Sequence, residues 1–311
     1  MDMDKKIHPD LKAVFAKTPA VDFTDLTALR DSAQLEPAPR SERVSISTRQ
    51  IAGSNDAPGV LVRIFEPVER NGLLPAVLWI HGGGYILGSY QQDDGLCQRF
   101  VETANCLVVS VEYRLAPEHP FPAPMEDCYA ALKWLAESAN ELGVDDTRIA
   151  IAGSSAGGGL TAGLALLARD RGGPHVCFQM PLYPMIDDRN VTPSSREITD
   201  NRVWNRDANA AAWKMYLGEE AKDNVSPYAA ASRAKDLSGL PPAYICVGEL
   251  DAFRDETMDY VTRLQQAGVP VEFHLYPGCF HGFELTIPDA DISKRAAAEY
   301  VSVLARALAK A

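Results

Sequence analysis

The sequence predicts an α/β fold with a largely parallel sheet. Along most of the 311 residues, short apolar runs rich in β-branched side chains alternate with segments of helical pattern. This alternation is typical of parallel strands joined by crossover helices, and the continuous apolar character of the runs indicates strands buried on both faces. The predicted architecture is therefore a sheet with helices on both of its faces.

Each element follows from its own pattern. Seven apolar runs are predicted to be buried strands: Gly59–Phe65, Ala76–Ile80, Leu107–Val111, Arg148–Ala152, Cys177–Leu182, Ala243–Val247 and Val271–Tyr276. Five segments between or after them are predicted to be helices: Gln92–Thr103, Met125–Glu141, Ala156–Arg171, Asp255–Ala267 and Ile292–Leu308. Ser41–Thr48 is polar at alternate positions and precedes a turn region, Gly53–Gly59, so we expect an antiparallel hairpin at the edge of the sheet.

Two segments interrupt this alternation. The first has helical patterns around Leu11 and Leu26 and ends in Pro37 and Pro39, and the second adds a polar stretch and a helical pattern, Trp204–Leu217, between two strands. Insertions at the carboxyl ends of strands lie where α/β proteins bind ligands, so we expect a cap over a site. The alternative is a surface excursion without a role in binding. The predicted division is cap 1–40, core 41–186, cap insertion 187–225 and core 226–311.

The composition excludes several classes of function. Against 30 Lys and Arg there are 42 Asp and Glu, a formal net charge of −12. Such a chain lacks the basic face that binds nucleic acid or an anionic membrane, so a small molecule is the predicted partner. Six cysteines occur singly, which indicates free thiols. Without an apolar run of signal-peptide or membrane-spanning length, we expect a cytoplasmic protein with no stable membrane association. Whether it forms a homodimer is left open.

A candidate nucleophile lies at a turn between a predicted strand and a predicted helix. The segment Gly153–Gly157 is a G-x-S-x-G motif centred on Ser155. A serine on such a sharp turn projects its hydroxyl above the sheet, and neighbouring glycines avoid clashes. A phosphate-binding glycine loop is the competing interpretation, but neither GKS/T nor GxGxxG is present. Ser154 is the alternative nucleophile, although its position in the motif is wrong.

A second glycine motif follows the strand Ala76–Ile80. It is His81-Gly82-Gly83-Gly84-Tyr85. Consecutive glycines let backbone N–H groups point into a site, and a tetrahedral oxyanion needs two or three such donors. The predicted donors are the amides of Gly83, Gly84 and Ala156, and His81 is expected to orient the loop rather than to titrate. A merely flexible glycine loop is the alternative.

A serine nucleophile needs a base and an orienting carboxylate. Of the six histidines, His281 lies in a loop after the last predicted strand and His81 belongs to the glycine motif, whereas the other four fall in a terminal, proline-rich or strand segment. Asp251 follows the strand Ala243–Val247 and lies between serine and histidine in chain order, as the acid should. Glu249 also fits by position, and Asp255 is expected to cap a helix. The three side chains should meet at one edge of the sheet.

These motifs, together with the run Tyr113-Arg-Leu-Ala-Pro-Glu-His-Pro-Phe-Pro-Ala123, resemble the hormone-sensitive-lipase-like family of bacterial esterases (family IV) within the α/β-hydrolases. The resemblance covers nearly the whole chain and implies an α/β-hydrolase fold with an eight-stranded sheet and a helical cap. It also implies hydrolysis of short-to-medium acyl esters without metal or cofactor, by a triad of Ser155, Asp251 and His281. The sequence departs from the family pattern at Ser154 and Ala252, neither of which is a reacting group.

The expected activity is therefore that of a serine carboxylesterase with a small uncharged ester as substrate. A lipase acting on longer acylglycerols is the first alternative, and a non-catalytic small-ligand receptor on the same fold is the second; amide hydrolysis is left open as a side activity. Four aromatic side chains are predicted to line the acyl pocket: Tyr85, Tyr183, Trp204 and Trp213. In the proline-rich run we expect a structural ion pair between Arg114 and Glu118.

Overall fold

A computed structural model describes residues 2–22, 25–32, 38–54, 57–218 and 224–309. In these residues one eight-stranded sheet has the order β1-β2-β4-β3-β5-β6-β7-β8. Its strands are β1 (Val44–Ile51), β2 (Val60–Pro67), β3 (Leu74–Ile80), β4 (Leu107–Glu112), β5 (Val144–Ser154), β6 (Phe178–Leu182), β7 (Ala243–Leu250) and β8 (Val271–Phe280).

The strand pairing confirms the predicted hairpin and the largely parallel sheet. β1 pairs antiparallel with β2 from Val44 opposite Pro67 to Ile51 opposite Val60, and β2 pairs antiparallel with β4. The remaining neighbours, from β4 through β3 to β8, pair in parallel. Every residue of β3 is buried, as its unbroken apolar sequence predicts, whereas β1 is mostly exposed at the edge.

Helices cover both faces of this sheet. They are α1 (Pro9–Phe15), α2 (Leu26–Ser32), α3 (Asp94–Ala104), α4 (Ala123–Glu137), α5 (Ala139–Leu142), α6 (Ala156–Asp170), α7 (Pro193–Glu197), α8 (Arg206–Leu217), α9 (Arg254–Gln266), α10 (Phe283–Thr286) and α11 (Asp291–Leu308). α3 packs against α11 and α4 against α6, and both pairs contact the central strands. The predicted helix Met125–Glu141 is wrong in one respect, because Ser138 separates α4 from α5.

The two segments predicted as a cap contact each other. Val21 N–H donates to the carbonyl of Asn201 over 2.8 Å. Arg202 forms ion pairs with Asp4 and Asp200, and its guanidinium lies 4.1 Å from the centroid of the Phe15 ring. Pro37 and the end of the second segment, residues 219–223, lie outside the described residues. The N-terminal helices and the insertion after β6 therefore form one neighbourhood, which we call the cap segments.

Candidate active site

The loop after β5 holds Ser155 in a strained conformation. Its φ is +56° and its ψ is −116°, and a non-glycine residue with such a φ is uncommon. The surrounding backbone also requires glycine beside it, because a Cβ on Gly157 would lie 2.0 Å from the carbonyl oxygen of Ile80. The turn therefore places the serine at the carboxyl edge of the sheet, as the motif predicts.

The structure brings Ser155, His281 and Asp251 together. His281 Nε2 lies 2.8 Å from Ser155 Oγ, and its Nδ1 lies 2.7 Å from Asp251 Oδ2. Asp251 is fully buried, and its other oxygen accepts a hydrogen bond from Phe253 N–H over 2.9 Å. With the proton on Nδ1, His281 donates to the carboxylate and accepts from the serine hydroxyl, which is the arrangement that lets an imidazole remove the hydroxyl proton.

Glu249 and Asp255, the alternative acids, are held elsewhere. Glu249 Oε2 accepts a hydrogen bond from Gly278 N–H over 2.8 Å, so it supports the loop that carries the histidine. Asp255 pairs with Arg254 and accepts from Ser194 N–H of α7 over 2.7 Å. It therefore ties α9 to the insertion, and its expected role as the cap of its own helix is wrong.

The glycine loop after β3 lies beside the serine, because β3 and β5 are neighbours with Ile80 opposite Gly153. A Cβ on Gly82 would lie 3.3 Å from Ser155 Cβ. In the part of the chain that the structure describes, no hydrogen bond to a protein acceptor is donated by the N–H groups of Gly83, Gly84 or Ala156. These three amides are thus available to an oxygen bound beside Ser155.

His81 supports this loop from beneath. Its side chain is 1% exposed, stacks on Tyr113 at 4.2 Å between ring centroids, and places Nδ1 2.7 Å from the carbonyl oxygen of Gly82. Burial lowers the pKa of His81 to about 4. The neutral ring can then donate from Nδ1 to that carbonyl, which is the loop-orienting position that the sequence predicts.

The end of β6 and the loop after it brace the candidate nucleophile from the other side. Ser155 N–H donates to the carbonyl of Leu182 over 2.9 Å, and the carbonyl of Ser155 accepts from Met185 N–H over 3.0 Å. Glu256 of α9 in turn holds this loop, since its Oε1 accepts from the backbone N–H groups of Ile186 and Asp187. Both bonds to Ser155 help to maintain its unfavourable φ.

The four aromatic side chains predicted to line a pocket lie in different environments. Tyr85 has no exposed surface; it stacks on Tyr216 of α8 and donates to the carbonyl of Met185, so as placed it is a core residue and not a lining residue. Trp213 packs against Tyr85 and is 3% exposed. Trp204 lies against Gly84, and Tyr183 lies edge-on to the His281 ring.

The sequence did not single out Glu284 or Phe253, both of which lie close to His281. Phe253 contacts the imidazole edge-on, with 4.9 Å between ring centroids. Glu284 accepts a hydrogen bond from Tyr183. The expected pair of Arg114 and Glu118 is wrong: Arg114 binds Asp127 through two guanidinium nitrogens, while Glu118 binds a different arginine.

The residues in the described ranges contain no group of three or more His, Cys, Asp or Glu side chains arranged to hold a metal ion. None of their helices is long and apolar enough to cross a membrane. The six cysteines are unpaired, and all but Cys177 are buried.

Comparison with known proteins shows what this chain is similar to. A family model described as the alpha/beta hydrolase fold matches residues 77–285. Esterase LipI of Mycobacterium tuberculosis is 44% identical over 209 residues, which cover 67% of this chain and 65%, just under two thirds, of that protein. Carboxylesterase NlhH of the same organism is 40% identical over 270 residues, which cover 85% of this chain and 83% of that protein.

A solved structure gives the same result over more of the chain. A bacterial heroin esterase superposes with a TM-score of 0.93 at 42% sequence identity. The superposition covers 98% of this chain and 99% of that one. The likeness therefore includes the N-terminal segment as well as the sheet.

Proposed function

Because this chain belongs to the α/β-hydrolase fold family, we propose that it is a serine carboxylesterase that hydrolyses short-to-medium acyl esters through an acyl-enzyme intermediate. Its relatives at 40–44% identity are named esterase and carboxylesterase. The chain is accordingly a carboxylic ester hydrolase. Beyond this activity, we propose which residues react, in which steps the ester is hydrolysed and which acyl lengths are preferred.

The observation that carries the proposal is the hydrogen-bonded series from Ser155 Oγ through His281 to Asp251, with distances of 2.8 and 2.7 Å. In the first step Ser155 Oγ attacks the ester carbonyl carbon while His281 Nε2 takes the hydroxyl proton. The tetrahedral intermediate then collapses, the bond to the leaving alkoxide breaks, and His281 returns the proton to it. The products of this half-reaction are an alcohol and the acylated serine.

In the second step water replaces the alcohol. His281 takes a proton from the water as its oxygen attacks the acyl carbon, and the bond between that carbon and Ser155 Oγ breaks as the proton returns to the serine. Asp251 keeps the imidazole oriented and balances its positive charge in both steps. The amides of Gly83, Gly84 and Ala156 stabilise the negative oxygen of each intermediate.

The surroundings of the site support an uncharged ester as substrate. The wall around Ser155 consists of glycine backbone and aromatic rings, and among the described residues no arginine or lysine side chain forms a hydrogen bond or an ion pair with a side chain of the proposed triad. We propose that the cap segments cover this wall and limit the acyl chain. A cytoplasmic location remains a prediction from the sequence, and whether the protein forms a homodimer stays open.

Turnover of p-nitrophenyl butyrate by matched serine variants tests the proposal. Ser155→Ala should lower kcat by at least about 10³-fold, because no other group replaces the nucleophile. Ser154→Ala is the control: this buried neighbour in the same turn should keep kcat within about threefold. Activity retained by S155A, or lost only in S154A, would contradict the assignment.

Acyl length is tested with p-nitrophenyl esters from acetate to palmitate. We expect kcat/KM to reach its maximum among the short and medium chains and to fall towards palmitate. A maximum at palmitate, together with hydrolysis of triolein in preference to tributyrin, would instead indicate a lipase.

A further inference from the structure

Tyr183 and Glu284 form a pair beside the proposed base that the proposed mechanism does not use. Tyr183 follows β6 and lies edge-on to His281, with 5.2 Å between ring centroids and an interplanar angle of 82°. Its hydroxyl donates to Glu284 Oε1 over 2.5 Å. Glu284 lies in α10, which directly follows the loop of His281. The bond therefore connects the loop that braces Ser155 with the segment that carries the base.

The buried carboxyl of Glu284 does not contribute favourably to the free energy of folding. Its side chain is 5% exposed, and no salt bridge in the described part of the chain involves it. Among the described residues its second oxygen, Oε2, is buried without a hydrogen-bond partner, and burial raises the pKa of Glu284. Burial of a carboxyl with so few hydrogen bonds costs folding free energy. Stability therefore does not account for its presence.

The imidazole needs lateral support that its own hydrogen bonds do not provide. The bonds at Nδ1 and Nε2 restrain the His281 ring mainly along the line through these two atoms, and they resist less strongly a shift of the ring perpendicular to its plane. Such a shift would lengthen and bend the hydrogen bond between Nε2 and Ser155 Oγ. Two rings oppose it by packing against His281 edge-on: Phe253 on the acid's loop and Tyr183 on the nucleophile's side.

We propose, on the basis of the serine-esterase function above, that Tyr183 and Glu284 are positioning residues for the base. The hydrogen bond between them holds the Tyr183 ring against the imidazole, so that His281 Nε2 stays aligned with Ser155 Oγ during proton transfer. Misalignment of a general base by a fraction of an ångström is expected to reduce turnover rather than substrate binding.

Replacement of the carboxyl by an apolar side chain of similar size separates this role from a structural one. In Glu284→Leu the Tyr183 hydroxyl has no acceptor, but the unpaired carboxyl oxygen is also gone. We expect kcat for p-nitrophenyl butyrate to fall about tenfold, KM to change less than twofold and Tm to stay equal or rise. Glu284→Gln keeps an acceptor and should recover kcat to within about threefold of wild type. Wild-type kcat in E284L would overturn the proposal.

Tyr183→Phe removes the donor of the same hydrogen bond. If E284L does not fold, this variant by itself tests the proposal. It keeps the ring and removes only the hydroxyl, so kcat should fall by a similar factor, and the double variant with E284L should be no worse than either single one. If kcat of the double variant fell by the product of the two single factors, the two residues would act independently, and the proposal that they act as a pair would be wrong.

Tyr276→Phe is the matched control. Tyr276 is also a buried tyrosine whose hydroxyl donates to a glutamate, Glu299, over 2.7 Å, but its described ring contacts do not include His281. Its kcat should match wild type, and a loss in Y276F equal to that in Y183F would overturn a specific role for the pair of Tyr183 and Glu284. The S155A result decides the proposed function separately, whichever way these variants behave.

Discussion

The core side and the cap side of the proposed site are held by different forces. On the core side Asp251 is fully buried, and its hydrogen bonds to His281 and Phe253 are 2.7 and 2.9 Å long. On the cap side Phe15 of α1 is buried against Phe280, and exposed ion pairs of Arg30 with Glu118 and of Arg202 with Asp4 add to the attachment of the N-terminal segment. The carboxylate side chains of these two pairs are 53% and 55% exposed.

Because of this difference, we expect the proposed reaction steps and the entry of substrate to respond differently to salt. Exposed ion pairs are weak and screened by salt, whereas buried hydrogen bonds are neither. At high salt the proposed reacting groups should therefore keep their geometry while α2, which Arg30 holds, loosens. Helix α8 is intermediate, because Trp213 and Tyr216 anchor it to the core through the buried ring of Tyr85. The two sides meet where Trp204 contacts the glycine loop. Among the substitutions that compare the two sides, we expect one at this contact to lower activity the most.

A methyl group at Gly84 should disrupt both sides at once. Its φ is +60°, and a Cβ would lie 2.4 Å from Cη2 of the Trp204 indole. Gly84→Ala should therefore move either the indole or the loop whose amides we propose to bind the oxyanion, and we expect kcat/KM for p-nitrophenyl butyrate to fall about 10²-fold.

Gly268→Ala is the control for backbone strain. Its φ is +81°, and no described atom lies within 4 Å of its Cβ position. It should lose about 1 kcal/mol of stability in urea unfolding and keep wild-type kcat/KM. If G84A and G268A were equally active, the contact between Trp204 and the loop would not constrain the site.

The buried histidine beneath the glycine loop, His81, should make the core sensitive to acid. Its ordinary pKa is near 6.5, and in the folded protein burial lowers the pKa of His81 to about 4. Between these values the unfolded chain binds a proton that the folded protein does not, so stability falls as pH falls from 6.5 to 4, by at most about 3 kcal/mol. Asp93 works in the opposite direction, because burial raises its pKa to about 6.

A comparison of His81→Asn with wild type isolates the histidine's contribution. The amide of Asn can donate to the carbonyl of Gly82, so the loop should keep one of its supports. We expect lower stability at pH 7.5 but a shallower decline towards pH 4.5, measured as urea midpoints across that range. Parallel declines in the two proteins would mean that His81 is not the group responsible.

The parts of the molecule that the sequence predicted are those with a local cause. The buried strands follow from runs such as that of β3, and the turn at Ser155 follows from glycines that no side chain could replace. The convergence of Ser155, Asp251 and His281 follows from the rule that parallel strands end at one edge. In each case neighbouring residues carry the information.

The features that the sequence did not predict depend on contacts between distant segments. Arg114 was expected to bind the nearby Glu118, but the fold brings Arg30, 88 positions away from Glu118, to the same carboxylate. Long charged side chains pair with whatever the tertiary structure places in reach. Glu284 belongs to no recognisable motif. Its hydrogen bond depends on Tyr183, which the fold places beside it after β6. Tyr85 is buried because α8 covers it, which local pattern does not reveal.

Removal of the ion pair of Arg30 should have the smallest effect on activity, and it tests the contribution of the cap side. Its guanidinium donates to the carbonyl oxygens of Ile86 and Ala116 as well as to Glu118, so it holds α2 against the loop that continues from Gly84. Arg30→Met should raise KM about threefold and change kcat less than twofold, because access to the site and not the triad is affected. High salt should raise the wild-type KM towards that of the variant.

Arg49→Met is the matched control for Arg30. Arg49 lies on the edge strand β1 and pairs with Glu141 over 2.8 Å, and its contacts include none of the proposed site residues. Its KM should equal that of wild type at both low and high salt. If R30M lowered kcat as strongly as KM rose, the N-terminal segment would help to align the reacting groups, and the separation between a core that performs the chemistry and a cap that governs access would not hold.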